Sequence, residues 1–267
     1  MEPLRLLYIG DVVGKAGRRA VQTLVPSLRH ELKLDAVFMN AENMAHGNGV
    51  SHTTVEDMLT AGVTFFTSGN HVFDNKDGVE YLKRSDSKVL RPANYPAVAP
   101  GRGHTVIEIG TKKVLLINLA GQVFMPQQVD SPFYCLDNIL KQYKLDDLAA
   151  VIVDVHAEAT SEKQALAWYA DGRASLVVGT HTHVPTADLR ILTHGTGLVC
   201  DLGSVAAADS VIGADKHKVL QRFLTQTPIA LSPAETGEVI FNSVYIEIDP
   251  TTKHTVQLQR VDRILPA

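Results

Sequence analysis

Five short apolar runs in this chain each break off into a cluster of oxygen- or imidazole-bearing side chains. Leu4 to Ile9 ends in Gly10-Asp11, Ala36 to Met39 in Asn40-Ala41-Glu42-Asn43, and Val63 to Thr67 in Ser68-Gly69-Asn70-His71. Ala149 to Val155 ends in His156, and Leu176 to Gly179 in Thr180-His181-Thr182-His183. Apolar runs of this length, bounded by turn residues, read as buried strands. The stretch 17–32 between the first two carries Val21, Leu24, Val25, Leu28 and Leu32, a helical spacing. Strands alternating with helices predict an α/β sheet with parallel pairing. Loops beyond the carboxyl ends of parallel strands converge on one crevice, so the five clusters are expected to meet.

The rest of the chain completes a mixed architecture. Thr53-x-x-Glu56 has the form of a capping box, with Ala61-Gly62 ending its helix. Residues 104–109 and 114–119 predict a hairpin, and 120–133 a long loop. Helices are expected at 134–144, from Ser161 as cap to Gly172, and at 215–224. Strands dominate from 188, and 238–248 with 254–261 read as a closing hairpin. There is no internal repeat, low-complexity tract or linker, so residues 1–267 are expected to form one domain. Trp168 and Tyr169 are assigned to the core, and His46, His52, His104, His194, His217 and His254 to the surface.

Composition excludes several classes. With 267 residues, 45% of them hydrophobic, and 25 Lys plus Arg against 29 Asp plus Glu, the net charge is −4. That balance rules out a disordered chain and disfavours long nucleic acid as the main ligand. Cys135 and Cys200 cannot build a disulfide framework, which points to a reducing compartment. Glu2 stands where a signal peptide would be basic, and no apolar run reaches the roughly 20 residues of a membrane span. The expectation is a cytoplasmic protein without membrane association.

The donor types narrow the chemistry. Asp11, Glu42, Asn43, Asn70, His71, His156, His181 and His183 offer carboxylate, amide and imidazole groups. Such a mixture suits Fe, Mn, Zn or Co better than Ca or Mg, and no cysteine joins it to make a structural zinc cage. In an extended segment His181 and His183 point the same way. Gly14-Lys15-Ala16-Gly17-Arg18 lacks the Gly-Lys-Ser/Thr ending of a phosphate loop.

These motifs, in this order, resemble the calcineurin-like metallophosphoesterases, and within them the YmdB-type bacterial phosphodiesterases. The counterparts are Gly10-Asp11-Val12-Val13, Ala41-Glu42-Asn43, Gly69-Asn70-His71, Asp154-Val155-His156 and Gly179-Thr180-His181-Thr182-His183, with the Val123-Phe124-Met125 loop. The resemblance spans essentially the whole chain. It implies a four-layer α-β-β-α sandwich of two mixed sheets and two transition-metal ions per chain, Fe or Mn first, then Zn or Co. Metal 1 would take Asp11, Glu42, Asn43 and His183, and metal 2 Glu42, Asn70, His156 and His181, with Glu42 bridging. His71 would be the proton donor to the leaving oxygen or a cation stabilising the transition state. A positioning role for His71, orienting Asn70 or a ligand, is the alternative.

The implied activity is hydrolysis of small phosphodiesters, 2′,3′-cyclic nucleotides first and 3′,5′-cyclic nucleotides second, by a metal-bridging hydroxide. A phosphomonoesterase and a regulatory metal-binding protein with weak catalysis are the alternatives. The resemblance also implies a homo-oligomer, dimer or tetramer. Departures from the wider pattern have chemical content. Val13 replaces a histidine, Glu42 replaces an aspartate, and Ala45-His46-Gly47 stands where phosphoprotein phosphatases carry a phosphate-clamping arginine. Gly47-Asn48-Gly49 reads as a substrate lip or as a simple turn.

Overall fold

The computed structural model describes residues 2–267. The chain opens on β1 (Leu4–Ile9), breaks at Gly10 and resumes as β2 (Asp11–Val12). Helix α1 (Gly14–Glu31) leads to β3 (Ala36–Asn40), and α2 (His52–Thr60) to β4 (Phe65–Thr67) and α3 (Lys76–Leu82). The hairpin of β5 (His104–Ile109) and β6 (Lys112–Ala120) precedes α4 (Pro132–Leu140), β7 (Ala150–His156), α5 (Thr160–Ala170) and β8 (Leu176–Thr180). Short strands β9 (Arg190–Ile191), β10 (Gly197–Val199) and β11 (Ser204–Ala207) follow, then α6 (Lys216–Thr225). The chain closes with β12 (Val239–Phe241), β13 (Ser243–Ile248), β14 (Thr255–Arg260) and β15 (Arg263–Leu265).

Period-two alternation along the buried strands generates four layers. Leu4, Leu6, Tyr8 and Phe38 meet Leu116, Ile152 and Val178 between the two large sheets. The other faces of the same strands, Leu7, Ile9, Val37 and Met39, pack on Val21, Val25, Val55 and Met58 of α1 and α2. On the far side Leu115, Ile117, Val151 and Val153 pack on Leu136, Leu166 and Ala167 of α4 and α5. Strands buried on both faces explain the nearly unbroken apolar runs.

Among the described residues the strands form three sheets rather than two: β14-β13-β1-β3-β4, β5-β6-β7-β8-β10-β9, and β15-β12-β11-β2. The third arises where the first forks. β1 pairs directly with β13, but beyond Gly10 and Asn242 the strand β11 wedges between β2 and β12. At the fork the Gly10 amide donates to the Asn242 carbonyl (3.1 Å) and the Asp11 amide to the Gly203 carbonyl (3.1 Å). A Cβ on Gly10 would overlap the Gly203 carbonyl, so only glycine passes here. The fork delivers Asp11 to the carboxyl ends of β3, β7 and β8.

Several local expectations are corrected. The capping box belongs to Ser51 and Thr54, whose side chains and amides pair reciprocally (3.2 and 3.0 Å), so Thr53 and Glu56 lie within α2. Helix α5 starts from Ala159 without a side-chain cap, and Ser161 sits inside its first turn. Trp168 and Tyr169 are 51% and 41% exposed, not core, because α5 buries Leu166, Ala167 and Ala170 and turns the intervening residues outward. Among the described residues no helix is long and apolar enough to cross a membrane. Cys135 and Cys200 are both free.

Candidate metal centre

The strand-end clusters do converge. His156, the last residue of β7, is fully buried. Its Nε2 lies 3.0 Å from Glu42 Oε1, 3.0 Å from Asn70 Oδ1 and 3.0 Å from His181 Nδ1. Donor atoms of Glu42, His156 and His181 all lie within 4.8 Å of one another. Asn70 thus stands with Glu42, His156 and His181. A few residues away His183 Nε2 lies 3.2 Å from Asn43 Oδ1, a second pair of donors.

The hydrogen bonds behind the imidazoles decide which nitrogen is free. The Thr180 hydroxyl donates to Asp154 Oδ1 (2.8 Å), so toward His156 it can only accept. His156 Nδ1 (2.9 Å) therefore carries a proton, and Nε2 points into the cluster, where a cation would displace the proton it shares with Glu42. His183 Nδ1 donates to the Ile212 carbonyl (2.7 Å), freeing Nε2 toward Asn43. His181 Nε2 faces the Glu158 carboxylate (3.2 Å), freeing Nδ1 toward the cluster. All three of these ring nitrogens thus face the donors on the other strand ends.

Asp154 is itself enclosed. Its Oδ2 receives the Tyr8 hydroxyl (3.3 Å), the Asn40 amide (3.3 Å) and the Thr67 hydroxyl, and burial raises its pKa. Asn40 also donates to Thr180 Oγ1 (3.2 Å). Nothing in the sequence gives Tyr8 or Thr67 this role, and Asn40 and Thr180 figure there only as members of the strand-end clusters. The available signal was that Asp154 and His156 share one face of β7.

Asp11 lies between the two groups. Its Oδ2 accepts the His181 amide (3.2 Å), while Oδ1 is buried without a hydrogen-bond partner. A buried carboxylate oxygen left unpaired is costly unless a cation meets it. Desolvation raises the Asp11 pKa despite His183 and His156 nearby. Burial pushes Glu42 in the same direction, but His156 overrides it and holds Glu42 below its ordinary range. His156 in turn is raised to about 9: burial opposes the charge, and Glu42 and Asp11 outweigh it. Burial and the His156 charge lower His181 to about 4.

Two further features mark the site. His181 and His183 have φ of +102° and +65°, a left-handed region that non-glycine residues seldom occupy. The intervening Thr182 is pinned to Asp201, its amide at 3.1 Å and its hydroxyl at 2.7 Å, and Lys163 Nζ holds the same Asp201 oxygen at 2.7 Å. The buried Lys163–Asp201 pair therefore anchors the strained turn from beneath. His71 is part-exposed; its amide donates to Glu42 Oε2 (3.1 Å) and its Nδ1 lies 2.7 Å from Asp74 Oδ2.

The orphaned Asp11 oxygen, the clustered donors and the outward imidazole protons all fit metal ions. Beside them opens a cavity of about 790 Å³, lined by Asn43, His71 and His183 together with residues of α6. Arg222 lines it too.

A family model described as YmdB-like protein matches residues 7–261. The chain is 40% identical over 258 residues to a Bacillus subtilis protein named 2′,3′-cyclic-nucleotide 2′-phosphodiesterase, covering 97% of this chain and 96% of that relative. It superposes on the crystal structure of a Mycoplasma pneumoniae protein described as a novel phosphatase, with a TM-score of 0.92, 32% identity and coverage of 100% and 95%. The Haemophilus influenzae NAD nucleotidase structure shares the fold at a TM-score of 0.61 and 14% identity, covering 99% of this chain and 56% of its own.

Proposed function

The chain belongs to the YmdB-like protein family, and on that premise we propose that it is a metal-dependent hydrolase of small phosphodiesters, with nucleoside 2′,3′-cyclic phosphates as preferred substrates. One observation carries the reading. His156 Nε2 and His181 Nδ1, with Glu42 and Asn70, meet at one point beside a cavity of mononucleotide size. The Bacillus subtilis relative's name supports the cyclic substrate.

Asp11, Glu42, Asn43 and His183 would hold one cation, and Glu42, Asn70, His156 and His181 a second, Fe or Mn before Zn or Co. Such a pair supplies an activated water and neutralises the phosphoryl oxygens. The remaining steps fall to this chain's own residues. Water adds to phosphorus as the P–O2′ bond breaks, leaving a nucleoside 3′-phosphate. The departing 2′ oxygen takes its proton from His71 Nε2, with Asp74 holding Nδ1 and orienting the ring. The fixed Thr180–His156 and Ile212–His183 bonds keep both imidazoles aimed without rearrangement. Self-association into a dimer or tetramer belongs to the same proposal, with sedimentation as its check.

The test is metal analysis combined with kcat/KM for 2′,3′-cyclic AMP, 3′,5′-cyclic AMP, bis-p-nitrophenyl phosphate, p-nitrophenyl phosphate and AMP. The expected order puts 2′,3′-cyclic AMP first, with Glu42→Gln abolishing turnover. A monoester outrunning all diesters, with the same loss in Glu42→Gln, would make the protein a phosphatase.

A further inference from the structure

The cavity has a largely apolar wall built by α6 and the segments that flank it. Val219, Arg222 and Phe223, spaced i, i+3 and i+4, line it from α6, and Ile212 and Leu231 continue the surface. Phe223 is 77% exposed, and Val219 is the one residue of α6 that is buried. A helix this exposed with a phenylalanine facing a cavity leaves a large aromatic face uncovered.

The wall is held at a set distance from the donors. The Ile212 carbonyl accepts the His183 imidazole proton at 2.7 Å, tying the wall to the site. Pro233 packs so closely on Gly47 and Gly14 that a Cβ on either would approach it at 2.8 or 2.9 Å. Asp215, the N-cap of α6, bonds through its amide to the Ser232 carbonyl (2.9 Å), and the Ala234 amide bonds to the Gly213 carbonyl (2.9 Å). Arg222 has no ion-pair or side-chain hydrogen-bond partner among the described residues.

We propose that this wall is the nucleoside subsite: the base of the substrate stacks on Phe223, and Arg222 supplies positive charge for the anionic ester held between His71 and His183. The proposal rests on the hydrolase reading above and extends it to specificity. A volume of about 790 Å³ accommodates one nucleotide and falls within the roughly 300–1,000 Å³ of small-ligand sites. An aromatic face accepts any base, and a purine offers the larger one, so purine cyclic phosphates should lead.

The experiment compares 2′,3′-cyclic AMP with base-free 1-O-methylribose 2′,3′-cyclic phosphate on the metal-loaded full chain. Phe223→Ala should cut kcat/KM for the nucleotide roughly 5- to 150-fold, mostly through KM, the span of base–aromatic stacking. The base-free diester should be unaffected, and Phe223→Trp should restore the nucleotide. Arg222→Gln should weaken both substrates alike. Equal loss on both substrates in Phe223→Ala, or no loss on either, overturns the proposal. So does a shift to smaller oligomers in sedimentation with equal losses, which would mean that a second copy of this chain covers Phe223. Binding of 3′-AMP and of ribose 3-phosphate by calorimetry separates the two readings. If neither diester is hydrolysed but Phe223→Ala weakens 3′-AMP alone, the subsite stands and the hydrolase reading falls.

Discussion

The backbone of Gly69 presses against the imidazole of His156, so closely that a Cβ on Gly69 would overlap His156 Cδ2 and Nε2 and Glu42 Oε2. Glycine at this position is therefore a requirement of the donor cluster and not of a turn. Gly69→Ala should displace His156 or Glu42 and lower metal affinity by at least the roughly 10–100-fold seen when groups supporting a ligand are lost. Metal content after dialysis at a fixed free-metal concentration checks this, and full retention would refute it.

Glu42 and Asp11 should part in their effects. Glu42 contacts His156 and the His71 amide, so Glu42→Gln should reduce both metals. Asp11→Asn should mainly empty the site shared with Asn43 and His183. Elemental analysis of the two variants beside the parent gives the answer, and identical stoichiometries would dissolve the two-site assignment.

Thr180→Val keeps the shape and removes the hydroxyl between His156 and Asp154. Three buried groups, His156, Asp154 and Asn40, then lose a partner, costing about 1–3 kcal/mol each. The denaturation midpoint of the metal-free protein should fall, metal affinity should drop roughly 10–100-fold, and Thr180→Ser should recover both. Recovery of stability without recovery of affinity would show that Thr180 does not set the imidazole.

His71→Ala should slow hydrolysis of 2′,3′-cyclic AMP by roughly 10²–10⁴-fold, the range of general acid catalysis. The loss should shrink for bis-p-nitrophenyl phosphate, whose leaving group needs little protonation, and metal content should persist. Equal losses on both substrates would reassign His71 to positioning.

The metal-free protein should lose stability on the alkaline side. His156, raised from 6.5 to about 9, contributes stability fully present below pH 6.5 and lost as pH rises through 9. Asp11, raised from 3.8 to about 7, loses its contribution as pH rises through 7, while His181, lowered from 6.5 to about 4, gains its contribution over nearly the same interval, so between pH 4.5 and 6.5 the two offset. Glu42, depressed from 4.5 to about 2, contributes above pH 4.5 and loses that contribution as pH falls through 2. Chelator-treated protein should thus be most resistant to urea between about pH 4.5 and 6.5. His156→Ala should flatten the limb between pH 6.5 and 9. Metal affinity should rise with pH over that limb, because the ion replaces the His156 proton.

The four layers were legible because each strand is buried on both faces and so spells an apolar run, as in Ala150–His156. That Asp11, Glu42, Asn70, His156 and His181 meet was legible for a related reason: parallel strands carry whatever follows them to one end of their sheet, here the matching ends of two stacked sheets. The capping box at Ser51 and the outward face of α5 were misread because local pattern does not say which turn of a helix comes first or which side is covered. The third sheet was not foreseen, since nothing in residues 204–207 announces that β11 will split β2 from β12.

The sequence by itself therefore determined the layers and the donors at the strand ends of the two large sheets, because strand periodicity and strand-end position are local properties. Which nitrogen of each histidine faces the donors, the unpaired Asp11 oxygen, and the placing of Phe223 and Arg222 on one cavity with His183 were decided only by the tertiary structure. Those depend on groups far apart in the chain, such as Thr180 with Asp154 and Ile212 with His183, whose contact is set by how sheets and helices pack and not by any neighbouring residue.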